Sequence, residues 1–160
     1  MTSTVNPVPA GYHTVTPYLI VQGAVGLVEF LTQAFGAQEC DRTTRPDGAL
    51  AHTSIRIGDS MVMLSEACDS WKPTPTSIYL YVEDTDATYE RAIQAGGTSL
   101  MQPEDHFYGD RSAGVQDPFG NSWWIGTHQE DVSPEEVQKR FEVFMAQQAL
   151  QTQTHLSSAV

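Results

Sequence analysis

The stretch YLYVEDTDATYERAIQAGG, residues 79–97, decides the fold, because the chain has already used the same pattern once. Residues 18–36 read YLIVQGAVGLVEFLTQAFG, and an ungapped alignment of these nineteen positions has seven identities. Both copies show a short apolar strand, a polar break, an amphipathic helix and a glycine that ends the helix. A unit of about 60 residues that occurs twice is too long and too rarely repeated for a solenoid. The repeat therefore predicts a duplicated module whose two copies share one core.

Each copy continues into further strands, so the order β-α-β-β-β is predicted twice. The first copy is predicted to have a strand over 14–21, a helix over 23–35 and strands over 38–44, 50–57 and 61–65. The second is predicted to have a strand over 77–82, a helix from 84 or 85 to 95, and strands over 99–102, 111–116 and 122–127, with a loop over 103–110. We expect an α+β fold in a single domain, residues 1–160, with modules at 12–66 and 77–130.

A third helix is predicted after the second module. Ser133 and Glu136 form a capping box, with proline at the first helical position. The helix is predicted over 133–150, and one side of it carries Phe141 and Phe144. Residues 151–160 are polar and are predicted to be a disordered tail.

Composition and charge exclude several classes of protein. The net charge of −12, with only eight basic residues scattered along the chain, argues against nucleic-acid binding. No apolar run approaches the roughly 20 residues that a membrane span requires, and the N-terminus does not read as a signal segment. Cys40 and Cys68 have no metal-type spacing and are predicted to be buried thiols. We therefore expect a cytoplasmic protein that binds neither nucleic acid nor membranes.

Several segments together resemble a known superfamily. GYHTVTPYLIV, IRIGDSMVML, LYVEDTDATYERA and FYGDRSAGVQDPFGNSWWI are similar to the vicinal oxygen chelate superfamily, in particular to small bacterial proteins of the glyoxalase/bleomycin-resistance kind. The resemblance covers roughly residues 12–130. It implies that the two modules form an open, cup-shaped mixed sheet with helices outside, that the cup binds a small molecule, and that the protein is a homodimer. The motifs specify the fold better than the chemistry.

The resemblance also implies where a metal ion would be held. In metal-using members each module contributes one ligand from its first strand and one from its last. These positions fall on residues that do not bind the family's metals, namely Thr16, Met63 (or Val62 if the hairpin is shifted by one), Ser77 and Trp124. We therefore expect no metal cofactor. The alternative is a divalent ion at a displaced site, made from scattered histidines with Glu66 and Glu104.

Strand alternation predicts which side chains line the cup. Rings and a thioether there suit a flat organic ligand, and the predicted ligand-binding residues are Tyr18, His52, Met63, Tyr79, Tyr81, Tyr108 and Trp124. The alternative is that these side chains simply fill the cup as core. His106 lies in a loop that could form a lid, and His128 is predicted to be peripheral.

Two residues are weak catalytic candidates. His52 is either an acid–base group or a hydrogen-bonded structural histidine. Arg111 either holds a ligand carboxylate or makes an internal salt bridge.

The sequence leaves three hypotheses for function. The leading one is metal-independent binding of a small aromatic or amphipathic molecule, of the sequestration or resistance type. The second is a glyoxalase- or dioxygenase-type enzyme with relocated metal ligands or a histidine base. The third is a dimeric scaffold without a ligand.

Overall fold

The computed structural model describes residues 5–157, with side chains as far as residue 150. The first module consists of β1 (Tyr18–Val21), α1 (Ala24–Phe35), β2 (Gln38–Thr44), β3 (Leu50–Ile57) and β4 (Ser60–Glu66). The second consists of β5 (Ser77–Tyr81), α2 (Thr85–Gln94), β6 (Thr98–Asp105), β7 (Asp110–Gln116) and β8 (Ser122–His128). A long helix, α3 (Pro134–Ser157), follows. The α+β fold with the order β-α-β-β-β twice and a C-terminal helix is confirmed.

The two modules have the same sheet topology. Each has its own four-stranded mixed sheet, in the order β1-β4-β3-β2 and β5-β8-β7-β6. The first strand of each module pairs in parallel with the last, and the remaining pairs are antiparallel. Tyr18 lies opposite Met63, and Tyr79 opposite Trp124, so the repeat seen in the sequence extends to the strand register.

Helix α1 is buried along one side because its apolar residues recur at helical spacing. Leu27, Leu31 and Ala34 are fully buried. The helix begins after Gly23, whose φ of 90° is accessible mainly to glycine. The Glu66 carboxylate closes this end, since it accepts hydrogen bonds from the amides of Gly23 (2.8 Å) and Ala24 (2.7 Å). In the second module, Asp84 caps α2 by accepting from the amide of Ala87.

The modules are joined through their helices. The ring of Phe119, from the β7–β8 turn, lies so close to α1 that a Cβ at Gly26 would be 2.7 Å from its Cζ. Phe35, at the end of α1, packs against Trp123 of β8 with ring centroids 5.2 Å apart. Arg91 of α2 donates to the main-chain oxygen of Ala34. The shared core predicted for the two copies therefore lies at their helices.

Asp117 organises the β7–β8 turn. Its buried carboxylate accepts hydrogen bonds from the amides of Phe119 (2.8 Å) and Asn121 (2.9 Å). It also accepts from the Asn121 side-chain amide and from the indole of Trp123, both at 2.8 Å. The turn that begins at Asp117 therefore fixes Trp123 in the core.

Two predicted strand boundaries were wrong. Strand β1 begins at Tyr18, so Thr16 lies before it and donates its hydroxyl to the main-chain oxygen of His13. Pro17 explains the difference, because proline has no N–H for a ladder and restricts the residue before it. Strand β6 continues to Asp105, so the predicted loop shrinks to the turn 106–109. Pro103 is accommodated there because β6 is an edge strand with an irregular register.

The C-terminal segment also differs from prediction. Helix α3 runs to Ser157, so the predicted disordered tail is wrong as far as that residue, and residues 158–160 lie outside the described part of the chain. No glycine or proline interrupts the helix after Pro134. Phe107 packs against Phe141 and Phe144, both at 5.5 Å, which anchors the first half of α3.

Neither cysteine is fully buried. Cys40 is exposed on β2, which contradicts its prediction as a buried thiol, and Cys68 is partly buried. Strand β2 lies at the edge of its sheet and all its residues are exposed to solvent, which explains the exposure of Cys40. Among residues 5–157, no helix has the length and apolarity needed to cross a membrane.

Candidate functional site

Each sheet has one side that its module's helix does not cover. Residues directly opposite each other on paired strands project from the same side of a sheet. On the first sheet this side carries Tyr18, His52, Ser54 and Met63, here called the first-module face. On the second it carries Tyr79, Tyr81, Asp110, Trp124 and His128, here called the second-module face.

The first-module face is a small polar and aromatic cluster. The rings of Tyr18 and His52 meet edge-on with centroids 5.9 Å apart. Nε2 of His52 lies 3.3 Å from the hydroxyl of Ser54, which also accepts a 2.7 Å hydrogen bond from Tyr12 of the N-terminal arm. Tyr18 and Trp71 line a shallow cleft of about 190 Å³ beside this cluster. His52 is thus a hydrogen-bonded side chain next to an open surface.

The second-module face carries rings that lie flat on the sheet. Tyr79 lies across Gly126, where a Cβ would collide with its ring, and a Cβ at Gly114 would be 2.6 Å from the ring of Trp124. The indole N–H of Trp124 donates to the hydroxyl of Ser77 at 3.1 Å. The two glycines therefore make room for aromatic side chains on an exposed surface.

The most exposed rings of this face form a pair. The rings of Tyr79 and Tyr81 are tilted by 50° with centroids 5.1 Å apart, and the two residues remain 43% and 69% exposed. Burial is the main cause that raises the pKa of Tyr79, whereas the hydrogen bond to Asp110 is the main cause that raises the pKa of Tyr81. Both phenols are therefore neutral donors at physiological pH.

A cleft of about 710 Å³ runs beside this tyrosine pair. Its walls are Tyr79 and Tyr81 on β5, the first turn of α2, and the β3–β4 turn with Phe35 from the first module. Because β5 is an edge strand, the cleft follows the free edge of the second sheet. Tyr18 lines a different cleft, so within one chain the predicted residues divide between two surfaces and do not surround one concavity.

The second-module face also contains a histidine–aspartate pair that the sequence did not predict. Nδ1 of His128 lies 2.7 Å from Oδ1 of Asp110, which is buried, and the Tyr81 hydroxyl donates to the other oxygen of the same carboxylate at 3.1 Å. Nε2 of His128 lies 3.0 Å from Asp131, which is fully exposed. The hydrogen bond with Asp110, and then that with Asp131, raises the pKa of His128.

Strand register could have revealed this pair. The β7–β8 hairpin pairs Gln116 with Ser122, and counting outward from that pair brings Asp110 opposite His128. The sequence placed His128 after the last strand and Asp110 before β7, so the contact was not predicted. In the structure β8 extends to His128 and β7 begins at Asp110.

Tyr108, the remaining predicted ligand-binding residue, lies in the turn 106–109. The ring of Tyr108 stacks on His106 with centroids 5.0 Å apart and meets Phe107 edge-on at 5.2 Å. Nε2 of His106 is buried without a hydrogen bond, and the nearest carboxylate oxygen, from Glu104, is 3.9 Å away. The turn thus links the sheet to α3 through Phe107.

Arg111 makes an internal salt bridge, one of its two predicted alternatives. Its guanidinium pairs with Asp86 of α2 and with Asp105 of β6, which raises its pKa and lowers that of Asp86. It projects toward the helix and away from the second-module face.

The positions at which the family would hold a metal do not fit one. Met63 lies on the first-module face and offers only a thioether, and its neighbour Val62 is in the core. The hydroxyl of Ser77 accepts a hydrogen bond from the indole N–H of Trp124, which itself offers no metal-binding atom. Among the side chains that the structure describes, no three His, Cys, Asp or Glu residues converge as a metal site would require.

Comparison with known proteins identifies the family. The profile of the Glyoxalase/Bleomycin resistance protein/Dioxygenase superfamily matches residues 13–125. The chain belongs to this superfamily. An uncharacterised protein of Mycobacterium tuberculosis (strain ATCC 25618 / H37Rv) is 37% identical over 148 residues, covering 86% of this chain and 85% of the relative.

Solved structures with this fold match more than two thirds of the chain. TioX from Micromonospora sp. ML1 superposes with a TM-score of 0.60 at 20% identity, covering 71% of this chain and 98% of TioX. A glyoxalase/bleomycin resistance protein/dioxygenase family enzyme from Burkholderia phytofirmans PsJN gives a TM-score of 0.59 at 19% identity, covering 74% and 97%. Helix α3 lies beyond the segment that the family profile matches.

Proposed function

We propose that this chain binds a small, flat organic molecule, aromatic or amphipathic, at its second-module face and without a metal ion. Its role would then be sequestration or resistance. Superfamily membership supports the general class, since the resemblance to this superfamily implies that the cup formed by the sheets binds a small molecule.

The observation that carries the proposal is the exposed tyrosine pair beside a large cleft. Tyr79 and Tyr81, whose ring centroids are 5.1 Å apart, are among the residues that line the 710 Å³ cleft, and glycine at position 126 keeps Tyr79 flat against the sheet. Exposed rings fixed in this way provide contact area without a large loss of side-chain entropy on binding. A flat guest can stack on these rings.

The residues at the family's metal positions support the metal-free part of the proposal. Thr16 is engaged with the main chain, Ser77 with Trp124, and Met63 offers a soft thioether. Binding energy would therefore come from stacking and hydrogen bonding.

We also propose that the chain forms a homodimer through apolar side chains that are exposed in one copy. Such side chains are exposed on the first sheet (Tyr18), between β4 and β5 (Trp71) and on α3 (Phe141, Phe144 and Met145). Because each copy carries a net charge of −12, the copies repel at low ionic strength. Association measured by analytical ultracentrifugation should therefore strengthen with added salt. A monomer at every salt concentration would contradict the homodimer.

Binding is tested by isothermal titration calorimetry, in which 2-naphthol is added to the protein in the presence of EDTA. Replacing Tyr81 with leucine removes a ring, and we expect binding to weaken about 2- to 10-fold, the value of one aromatic contact. Tyr81→Phe is the matched control, because it keeps the ring and should bind 2-naphthol within about twofold of the parent chain. Equal binding by the leucine variant would contradict the proposed site. Binding that EDTA abolishes, and that one divalent ion per chain restores, would contradict the metal-free mode.

A further inference from the structure

In the Asp110–His128 pair, the two ring nitrogens of the histidine have different surroundings. Asp110 is buried on β7 and binds Nδ1 of His128, so the other ring nitrogen, Nε2, is directed away from the sheet. The His128 side chain is 52% exposed, and Nε2 contacts the fully exposed carboxylate of Asp131. A histidine whose one nitrogen is fixed by a buried carboxylate while the other contacts an exposed group is arranged for proton exchange.

The residue that occupies Nε2 is displaceable. Asp131 contacts Nε2 at 3.0 Å, but its own side chain is fully exposed, so water can replace the histidine as its partner at little cost. An oxyanion from a ligand could take the same position. Asp131 therefore shows that the site accepts an oxygen anion at this nitrogen.

A cleft lies at the same place. His128 and Thr127 of β8 form one wall of an open cleft of about 540 Å³, and Tyr81, Val82 and Glu83 form the other. Tyr81 thus belongs both to this cleft and to the tyrosine pair of the proposed binding site. A ring that stacks on Tyr81 would bring a substituent toward Nε2.

We propose that His128, held by Asp110, accepts the proton of an acidic hydroxyl group on the ring ligand, a phenol or an enol, and holds the resulting oxyanion. The ligand O–H bond breaks and an N–H bond forms at Nε2, while the electron pair stays on the ligand oxygen. The Nδ1 proton remains donated to Asp110, which stabilises the imidazolium. This inference rests on the proposed function, because the ligand must first lie on the tyrosine pair.

The charges around His128 favour its protonated form. Asp110 and Asp131 contact it directly, Glu83 lines the same cleft, and the Tyr81 hydroxyl is bound to Asp110. The carboxylates stabilise the positive imidazolium, in agreement with the raised pKa of His128. If His128 is already protonated at the working pH, it pairs with the ionised form of the ligand, and the complex is the same. In either case the ligand ionises more readily when bound.

The test uses 4-nitrophenol, whose ionised form is yellow whereas the neutral phenol is not. The absorbance of protein-bound probe is followed as a function of pH. We expect the bound probe to have an ionisation constant about three- to tenfold larger than free probe, a downward shift of its pKa by about 0.5 to 1. The variant His128→Gln should still bind the probe but lose this shift. His13→Gln, an exposed histidine of the N-terminal arm, is the matched control and should behave like the parent chain.

Asp131→Asn gives an independent readout. If the Asp131 carboxylate competes for Nε2, its removal should tighten binding of the ionised probe, whereas a purely structural Asp110–His128 pair predicts no tightening. A shift that persists in His128→Gln, or Asp131→Asn binding no tighter than the parent, would overturn this inference while leaving ring binding intact. No binding of either 2-naphthol or 4-nitrophenol by the parent chain would instead overturn the proposed function, and this inference with it.

Discussion

Replacing Asp117 with alanine tests how the β7–β8 turn fixes the second sheet. The carboxylate accepts four hydrogen bonds, and three of their donors belong to Asn121 and Trp123, which are fully buried. Alanine leaves those donors without a partner in the core.

The magnitude follows from the number of bonds that are lost. Hydrogen bonds to charged groups contribute about 1.5–3 kcal/mol each, but these four share one acceptor and are not additive. Water entry and relief of the buried charge offset part of the loss, so we expect a decrease of about 3–5 kcal/mol in the free energy of unfolding. For a chain of this size, that corresponds to a fall in Tm of roughly 6–20 °C.

The assay is urea or thermal unfolding at fixed protein concentration, since association would shift both. Asp47→Ala is the matched control. Asp47 also lies in a turn and accepts a hydrogen bond, but from one amide only, that of Ala49, and in an exposed position. We expect the control to lose no more than about 1 kcal/mol. A loss that small for Asp117→Ala would refute the reasoning about the turn.

Three further perturbations have defined outcomes. Gly97→Ala would place a Cβ 2.8 Å from the main-chain oxygen of Ala92, so we expect about 2 kcal/mol of destabilisation in urea unfolding; an unchanged midpoint would contradict it. The raised pKa of His128 stabilises the fold below the unfolded imidazole pKa, and this contribution disappears as pH rises through the folded pKa. The stability difference between parent and His128→Gln should therefore decrease at alkaline pH, and a difference that grows there would be inconsistent with the sign. Phe107→Ala removes the anchor of α3, so hydrogen exchange should quicken in α3 and stay unchanged in α1.

Local pattern and repetition were enough to predict the architecture. The match between residues 18–36 and 79–97 predicted two modules. The strand pairing repeats as well, because Tyr18 and Met63 are separated by the same number of residues as Tyr79 and Trp124. The strand β3 and most of both helices were predicted correctly because apolar periodicity and flanking glycines are local signals.

The errors came from features that depend on neighbours in space. Pro103 suggested a loop, but an edge strand tolerates proline where a central one does not. Cys40 was expected to be buried, but its whole strand is exposed at a sheet edge. The Asp110–His128 contact depends on hairpin register, which a reading of isolated segments does not give. The separation of Tyr18 from Tyr79 depends on how the two sheets are placed, which alternation along each strand does not determine.

The central claim is that a ring ligand binds the second-module face without a metal. The most direct measurement is a chemical-shift map of ¹⁵N-labelled protein titrated with 2-naphthol in EDTA. We expect the largest changes at the indole N–H of Trp124 and at the amides of Tyr79 and Tyr81, with none at Val25 on the outside of α1. Changes confined to other surfaces, or changes that appear only when a divalent ion is added, would contradict the account.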